Sequence, residues 1–130
     1  MTNVDFFGMA VKSAEKAYAP YSNFKVGAVL LTRDGQIFTG CNIENASYSM
    51  TMCAERIAVF KAVSSGFKDF KAIAVAGSSD GDFSKPCIPC GACLQVLSEF
   101  CDDDFMIVLS DGVYKLSDFM PKKFSAENIV

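Results

Sequence analysis

The stretch that most constrains the fold is Ala72-Ile73-Ala74-Val75-Ala76, a continuous apolar run with no polar residue between. A strand with one solvated face alternates apolar and polar residues, whereas a strand covered on both faces does not. The run therefore predicts a strand in the middle of a sheet that carries helices on both sides. The neighbouring segments supply the other elements. Residues 24–31 read as a strand with Val26, Ala28 and Leu30 on one face, and 37–41 return as its hairpin partner across Arg33-Asp34-Gly35-Gln36. Ahead of them, Thr2 or Asn3 caps a helix with Phe7, Val11, Ala14 and Tyr18 on one face, ended by Ala19-Pro20. Residues 51–65 repeat the helical pattern with few charges before Gly66, so this helix is expected to be buried on most sides. A polar loop over 78–89 leads to a helix over 91–100 and strands over 105–109 and 113–115. A last short helix, capped by Ser117, stops before Pro121. No linker or repeat interrupts the 130 residues. The expectation is one domain, 1–130, of α/β class: a three-layer α/β/α sandwich with a mixed sheet of about five strands.

Composition narrows the chemistry. With 12 basic and 15 acidic residues the net charge is −3, which argues against a nucleic-acid partner held through its phosphates. No apolar run approaches the ~20 residues of a membrane span. Met1-Thr2-Asn3-Val4-Asp5 lacks the basic and apolar regions of a signal peptide, so a cytoplasmic location with reduced thiols is expected. There is no histidine, which removes Ser-His-Asp triads, Cys-His pairs and every His-ligated metal site. Six cysteines remain, and in a reducing compartment they point to metal binding or catalysis before disulfides.

Cys87, Cys90 and Cys93 recur every third residue around the predicted start of one helix, and Cys53 sits two residues into another. Metal is bound by thiolate, and the first turn of a helix favours negative charge. An iron–sulfur run would require a further cysteine followed by proline where Leu97-Ser98 stand, so zinc is the better fit. Cys53, Cys87, Cys90 and Cys93 together would close a four-thiolate structural site in a non-catalytic binding module; three of them would leave a position for water. Glu55 favours the second reading. It is a carboxylate in an otherwise apolar helix, and beside a zinc-activated water it can accept and return protons.

Cys53-Ala54-Glu55 followed by Pro89-Cys90-Gly91-Ala92-Cys93 resembles the zinc nucleoside-deaminase signature in its three-cysteine form. Ala17-Tyr18-Ala19-Pro20-Tyr21-Ser22-Asn23-Phe24-Lys25-Val26-Gly27-Ala28, Gly40-Cys41-Asn42-Ile43-Glu44-Asn45-Ala46-Ser47-Tyr48 and Ala54-Glu55-Arg56 resemble the short, homotetrameric cytidine deaminases, over roughly residues 17–124. The resemblance implies one Zn²⁺ per subunit on Cys53, Cys90 and Cys93, with Glu55 as proton shuttle in the hydrolysis of free cytidine and 2′-deoxycytidine to uridine and 2′-deoxyuridine. It further implies that Arg56 donates hydrogen bonds to the cysteine sulfurs, offsetting the net −1 of zinc with three thiolates. Asn42 and Glu44 would grip the ribose 3′-hydroxyl, Phe24 would meet the pyrimidine ring, and backbone groups of Ala54 would meet the base. Tyr48 and Phe124 would reach into a neighbouring subunit's site, making a homotetramer with shared active sites in pyrimidine salvage. Two departures stand out: Leu94 occupies a position where the family usually has arginine, and Cys87 creates a competing CxxC step. Cys90 and Cys93 are preferred because Gly91-Ala92-Cys93-Leu94 leads directly into the helix. Cys41 and Cys101 read as core thiols.

Overall fold

The structure is a computed structural model and describes residues 1–129. Its elements are α1 (Asn3–Ala14), β1 (Lys25–Thr32), β2 (Ile37–Cys41), α2 (Ala54–Ser64), β3 (Phe70–Ser78), α3 (Gly91–Phe100), β4 (Met106–Leu109), β5 (Gly112–Lys115) and α4 (Leu116–Phe119). The five strands form one sheet in the order β2-β1-β3-β4-β5. β3 and β4 run parallel and the remaining neighbours antiparallel, so the sheet is mixed.

The central run does what its composition demands. Ala72, Ala74 and Ala76 face α1 with Phe6, Ala10, Val29 and Val108. Ile73 and Val75 face the other way, against Ala54, Ala58, Val59 and Ala62 of α2, Leu94 and Leu97 of α3 and Leu116 of α4. The three layers are thus α1, the sheet, and α2 with α3 and α4. Small residues let the layers close. A Cβ at Gly27 would lie 2.0 Å from the Ala10 carbonyl oxygen, and one at Gly40 would lie 2.3 Å from that of Ala54.

Local boundaries depart from expectation where distant backbone intervenes. The buried face of α1 is Phe6, Ala10 and Ala14; of the expected face only Ala14 is buried, Phe6 and Ala10 replace Phe7 and Val11, and the helix stops at Ala14, short of Tyr18. Past that point Tyr18 N–H donates to the Asn42 carbonyl (3.0 Å) and the Tyr18 carbonyl accepts from Glu44 N–H (2.8 Å), which draws the chain out of the helix. α2 begins at Ala54, three residues later than its periodicity suggests, because Met52 pairs through both backbone groups with Ile43 (2.9 and 3.0 Å). Cys53 is therefore the N-cap of α2 and not a residue inside it. Thr2 caps α1, with its hydroxyl accepting from Asp5 N–H. The cap of α4 is Lys115, whose N–H donates to Asp118, while Ser117 lies within the helix.

Candidate metal centre and active site

Two helix starts converge on one point. Cys53 is the N-cap of α2 and Cys90 the N-cap of α3, and neither side chain caps its own helix, so both sulfurs are free to face elsewhere. Cys93 follows in the first turn of α3, buried. The three Sγ atoms lie within 4.8 Å of one another, with Cys53–Cys90 at 4.0 Å and Cys90–Cys93 at 3.5 Å. A tetrahedral zinc with sulfur at about 2.3 Å sets its ligands about 3.8 Å apart, so the sulfurs stand at the spacing the ion requires. The helix N-termini favour charge on them.

Arg56, one turn into α2, donates from Nη2 to Cys53 Sγ at 3.4 Å. The hydrogen bond with the Cys93 thiol, then the hydrogen bond and charge of Arg56, hold the Cys53 thiol down at about 5 against the opposing effect of burial. Cys93 is raised instead, first through that shared hydrogen bond and then through burial. Glu55 is only 4% exposed. Burial above all, with the Cys53 charge adding to it, raises its carboxyl to about 7, while its own backbone N–H and Arg56 pull the other way. A carboxyl at neutrality exchanges protons in both directions with little cost.

Cys87 stands apart from the three-sulfur group. A Cβ at Gly77 would meet Cys87 Sγ at 2.8 Å and the Phe24 ring at 2.9 Å, so thiol and ring both lean over that glycine. Burial, then the charges on Glu55 and Cys53, pushes the Cys87 thiol up to about 11. Leu94 is buried in the core cluster that contains α2. Cys101 is buried and Cys41 half-buried.

Phe24, Asn42 and Glu44 form a second, hydrogen-bonded group. Asn42 is buried; its Oδ1 accepts from Val26 N–H (2.9 Å) and its Nδ2 donates to the Phe24 carbonyl (2.9 Å). Glu44 Oε1 accepts from Tyr21 N–H (2.9 Å) and Ser22 N–H (3.2 Å), and Oε2 accepts from the Ser22 hydroxyl. The Ser22 hydroxyl, ahead of the two backbone bonds, holds the Glu44 carboxyl below its usual range. Ala54 is fully buried at the start of α2. Tyr48 and Phe124 are not gathered into either group. Tyr48 is 73% exposed and meets the Tyr21 ring edge-on at 6.0 Å, and Phe124 is 58% exposed with its carbonyl accepting from Gln95 Nε2 at 3.0 Å. Sequence reasoning assigned no role to Ser22 or Gly77. The signal for Ser22 was the turn composition Pro20-Tyr21-Ser22-Asn23; a glycine inside a strand was the signal for Gly77.

Residues 1–109, which include all three clustered cysteines, match the model of the cytidine and deoxycytidylate deaminase zinc-binding region. The chain belongs to this deaminase family. It is similar to the cytidine deaminase of Sporosarcina psychrophila, at 48% identity over 91% of this chain and 88% of that one. It is likewise similar to the cytidine deaminase of Halalkalibacterium halodurans, at 46% identity over 92% of each. The crystal structure of cytidine deaminase from Burkholderia pseudomallei superposes with a TM-score of 0.86 at 46% identity, covering 95% of this chain and all of that one. The fold is that of cytidine deaminases, and the chain is a hydrolase-class enzyme with a zinc-binding deaminase domain. Zinc is its cofactor, and Cys53, Cys90 and Cys93 are the group able to hold it. Among the described residues no helix is long and apolar enough to cross a membrane.

Proposed function

We propose that this enzyme hydrolyses free cytidine and 2′-deoxycytidine to uridine and 2′-deoxyuridine, releasing ammonia, in pyrimidine salvage in the cytoplasm. The observation that carries the reading is Glu55: a buried carboxyl in the first turn of α2, two residues from Cys53, beside three sulfurs at zinc spacing. Zinc held by Cys53, Cys90 and Cys93 would lower the pKa of water enough to make it a nucleophile toward C4 of the pyrimidine at neutral pH. Glu55 manages the protons: it takes one from the attacking water and delivers it to ring N3, then takes the proton of the hydroxyl added at C4 and passes it to the amine, which leaves as ammonia while C4 becomes the carbonyl. Arg56 supplies positive charge to a cluster that would otherwise carry net −1 with its zinc, and orients Cys53.

Asn42 and Glu44 serve the sugar. The backbone of residues 21–26 takes one of the two Asn42 amide hydrogens and one lone pair of its oxygen. Three of about four lone-pair sites on the Glu44 carboxylate are used by Tyr21 and Ser22. What remains is a donor on one side chain and an acceptor on the other, the complement of a hydroxyl, here the ribose 3′-hydroxyl. Phe24 packs on the base, whose edge meets backbone groups of Ala54. Tyr48 and Phe124 are large aromatics left in solvent, and Phe60 on α2 is 43% exposed as well. These surfaces support a homotetramer in which Tyr48 and Phe124 complete a neighbour's site and exclude water from it.

The test is direct. The purified protein is assayed for zinc content, for uridine and ammonia formed from cytidine and deoxycytidine, and for mass by sedimentation. Zinc at one per chain, stoichiometric ammonia and a tetramer are expected. Zinc-loaded protein with no turnover of either nucleoside would refute the activity. Removal of residues 122–130 should raise KM or abolish activity, and activity should return when that variant exchanges subunits with Glu55→Gln; a fully active monomer would refute the shared site.

A further inference from the structure

We propose that Ser22 is a positioning residue that couples recognition of the ribose to recognition of the base. The inference rests on the reading above, in which Glu44 takes the ribose hydroxyl and Phe24 meets the pyrimidine. The Ser22 hydroxyl donates to Glu44 Oε2 and accepts from the backbone N–H of Phe24 at 3.0 Å. One side-chain oxygen thus joins the carboxylate of one subsite to the backbone of the aromatic in the other. The turn that makes this possible passes through Asn23, whose φ of 57° lies in the left-handed region that asparagine tolerates best after glycine. From the opposite side the Phe24 carbonyl is held by Asn42 Nδ2. Phe24 is therefore fixed by both sugar-facing residues, directly by Asn42 and through Ser22 by Glu44.

The position of the open acceptor site gives the coupling a direction. Oε1 of Glu44 is filled by Tyr21 and Ser22 N–H groups, so a ribose hydroxyl must land on Oε2, the oxygen that Ser22 already uses. Hydrogen bonds that share an atom polarise one another. A hydroxyl arriving at Oε2 adjusts the Ser22 bond, and through it the N–H that sets where the Phe24 ring stands over Gly77. Ser22 itself is exposed and absent from both core clusters, so its hydroxyl can be removed without opening the core.

The experiment compares cytidine with 2′,3′-dideoxycytidine, which lacks the hydroxyl, on wild type, Ser22→Ala and Ser22→Thr, with zinc content and Tm as checks of folding. In Ser22→Ala the KM for cytidine should rise about tenfold, the scale of one hydrogen bond to a charged group, with kcat within about twofold. The preference for cytidine over the dideoxy substrate should shrink by a similar factor, since only cytidine uses Glu44. Ser22→Thr, which keeps the hydroxyl, should restore both. Ser22→Cys, whose thiol is a weak donor and acceptor, should show the same changes in smaller measure and serves if the alanine variant melts below assay temperature. Equal wild-type kcat/KM on the two substrates would overturn the ribose reading and this inference with it. A discriminating wild type whose preference survives intact in Ser22→Ala, or an equal loss on both substrates that threonine does not rescue, would overturn the inference alone.

Discussion

Arg56 Nη2 lies 3.4 Å from Cys53 Sγ, and the two residues are one helical turn apart at the start of α2. The contact follows from helix geometry once Cys53 is the N-cap, since residues three apart share a face. It draws the guanidinium into a place where its Nε is buried without a partner. Leaving a donor buried and unpaired costs free energy, while a guanidinium beside the sulfur offsets negative charge there. With Leu94 packed into the core, Arg56 is the cation placed to do this.

Arg56→Gln should therefore weaken zinc binding about 10–100-fold, the range typical of groups that hydrogen-bond metal ligands. Competition with a chromogenic chelator reads this directly. Unchanged zinc affinity would remove Arg56 from the metal site.

Glu55→Gln should lose on the order of 10²–10⁴ in kcat while keeping its zinc, because the proposed role of the side chain is to move protons and not to hold metal. Metal analysis and steady-state rates on the same preparation separate the two. Wild-type turnover in this variant would end the proton-shuttle assignment.

Burial, more than any other influence, pushes the Cys101 thiol up to about 12, as it does Cys87 to about 11. In chelator-treated protein at pH 8, iodoacetamide should modify exposed Cys90 well before Cys87 and Cys101, as peptide mapping would record. The same shift has a stability consequence with a definite sign. Between the ordinary thiol value of 9.0 and the folded value of about 12, native Cys101 keeps a proton that the unfolded chain releases. Its contribution is complete below pH 9.0 and declines as pH rises through that window. Cys101→Ala, though less stable at pH 8 for loss of packing, should lose less Tm than wild type between pH 8 and pH 10.

Two glycines should respond differently to alanine. At Gly27 the new Cβ would meet backbone atoms of α1, with the Ala10 carbonyl at 2.0 Å, so the helix must lift from the sheet; a loss of about 1–3 kcal/mol by denaturant melts is expected. At Gly77 it would meet the tips of two side chains, Cys87 and Phe24, which can move. Gly77→Ala should fold near normally yet raise KM, because the ring displaced is the one assigned to the base. A Gly77→Ala protein with unchanged KM would separate Phe24 from the base.

Much of the molecule is legible in the sequence because its signals are local. The β1–β2 hairpin shows in alternation around a turn, α3 in its period, and β3 in a run that admits no solvent face. The zinc ligands are legible in part. CxxC spacing identifies a metal site, but Cys87-x-x-Cys90 and Cys90-x-x-Cys93 are equivalent as spacing, and preferring the second rests on the helix that follows. Only the fold brings Cys53, Cys90 and Cys93 to one point and leaves Cys87 against Gly77 and Phe24. The role proposed for Ser22 is invisible from spacing alone, because its partners Glu44 and Phe24 meet it through a left-handed turn at Asn23.

The sequence by itself determined the class of fold, the thiolate chemistry of the metal site and the presence of a carboxyl beside it, since these follow from residue type and short-range pattern. Tertiary structure decided where the helices start and stop, which face of α1 is buried, and how Phe24, Asn42 and Glu44 are joined. The physical reason is the same in each case. α1 ends where Tyr18 pairs with the backbone of Asn42 and Glu44, and α2 begins only after Met52 has paired with Ile43. Those hydrogen bonds link segments far apart in the chain, and they override local helical preference because a backbone group paired across the fold is no longer available to the helix.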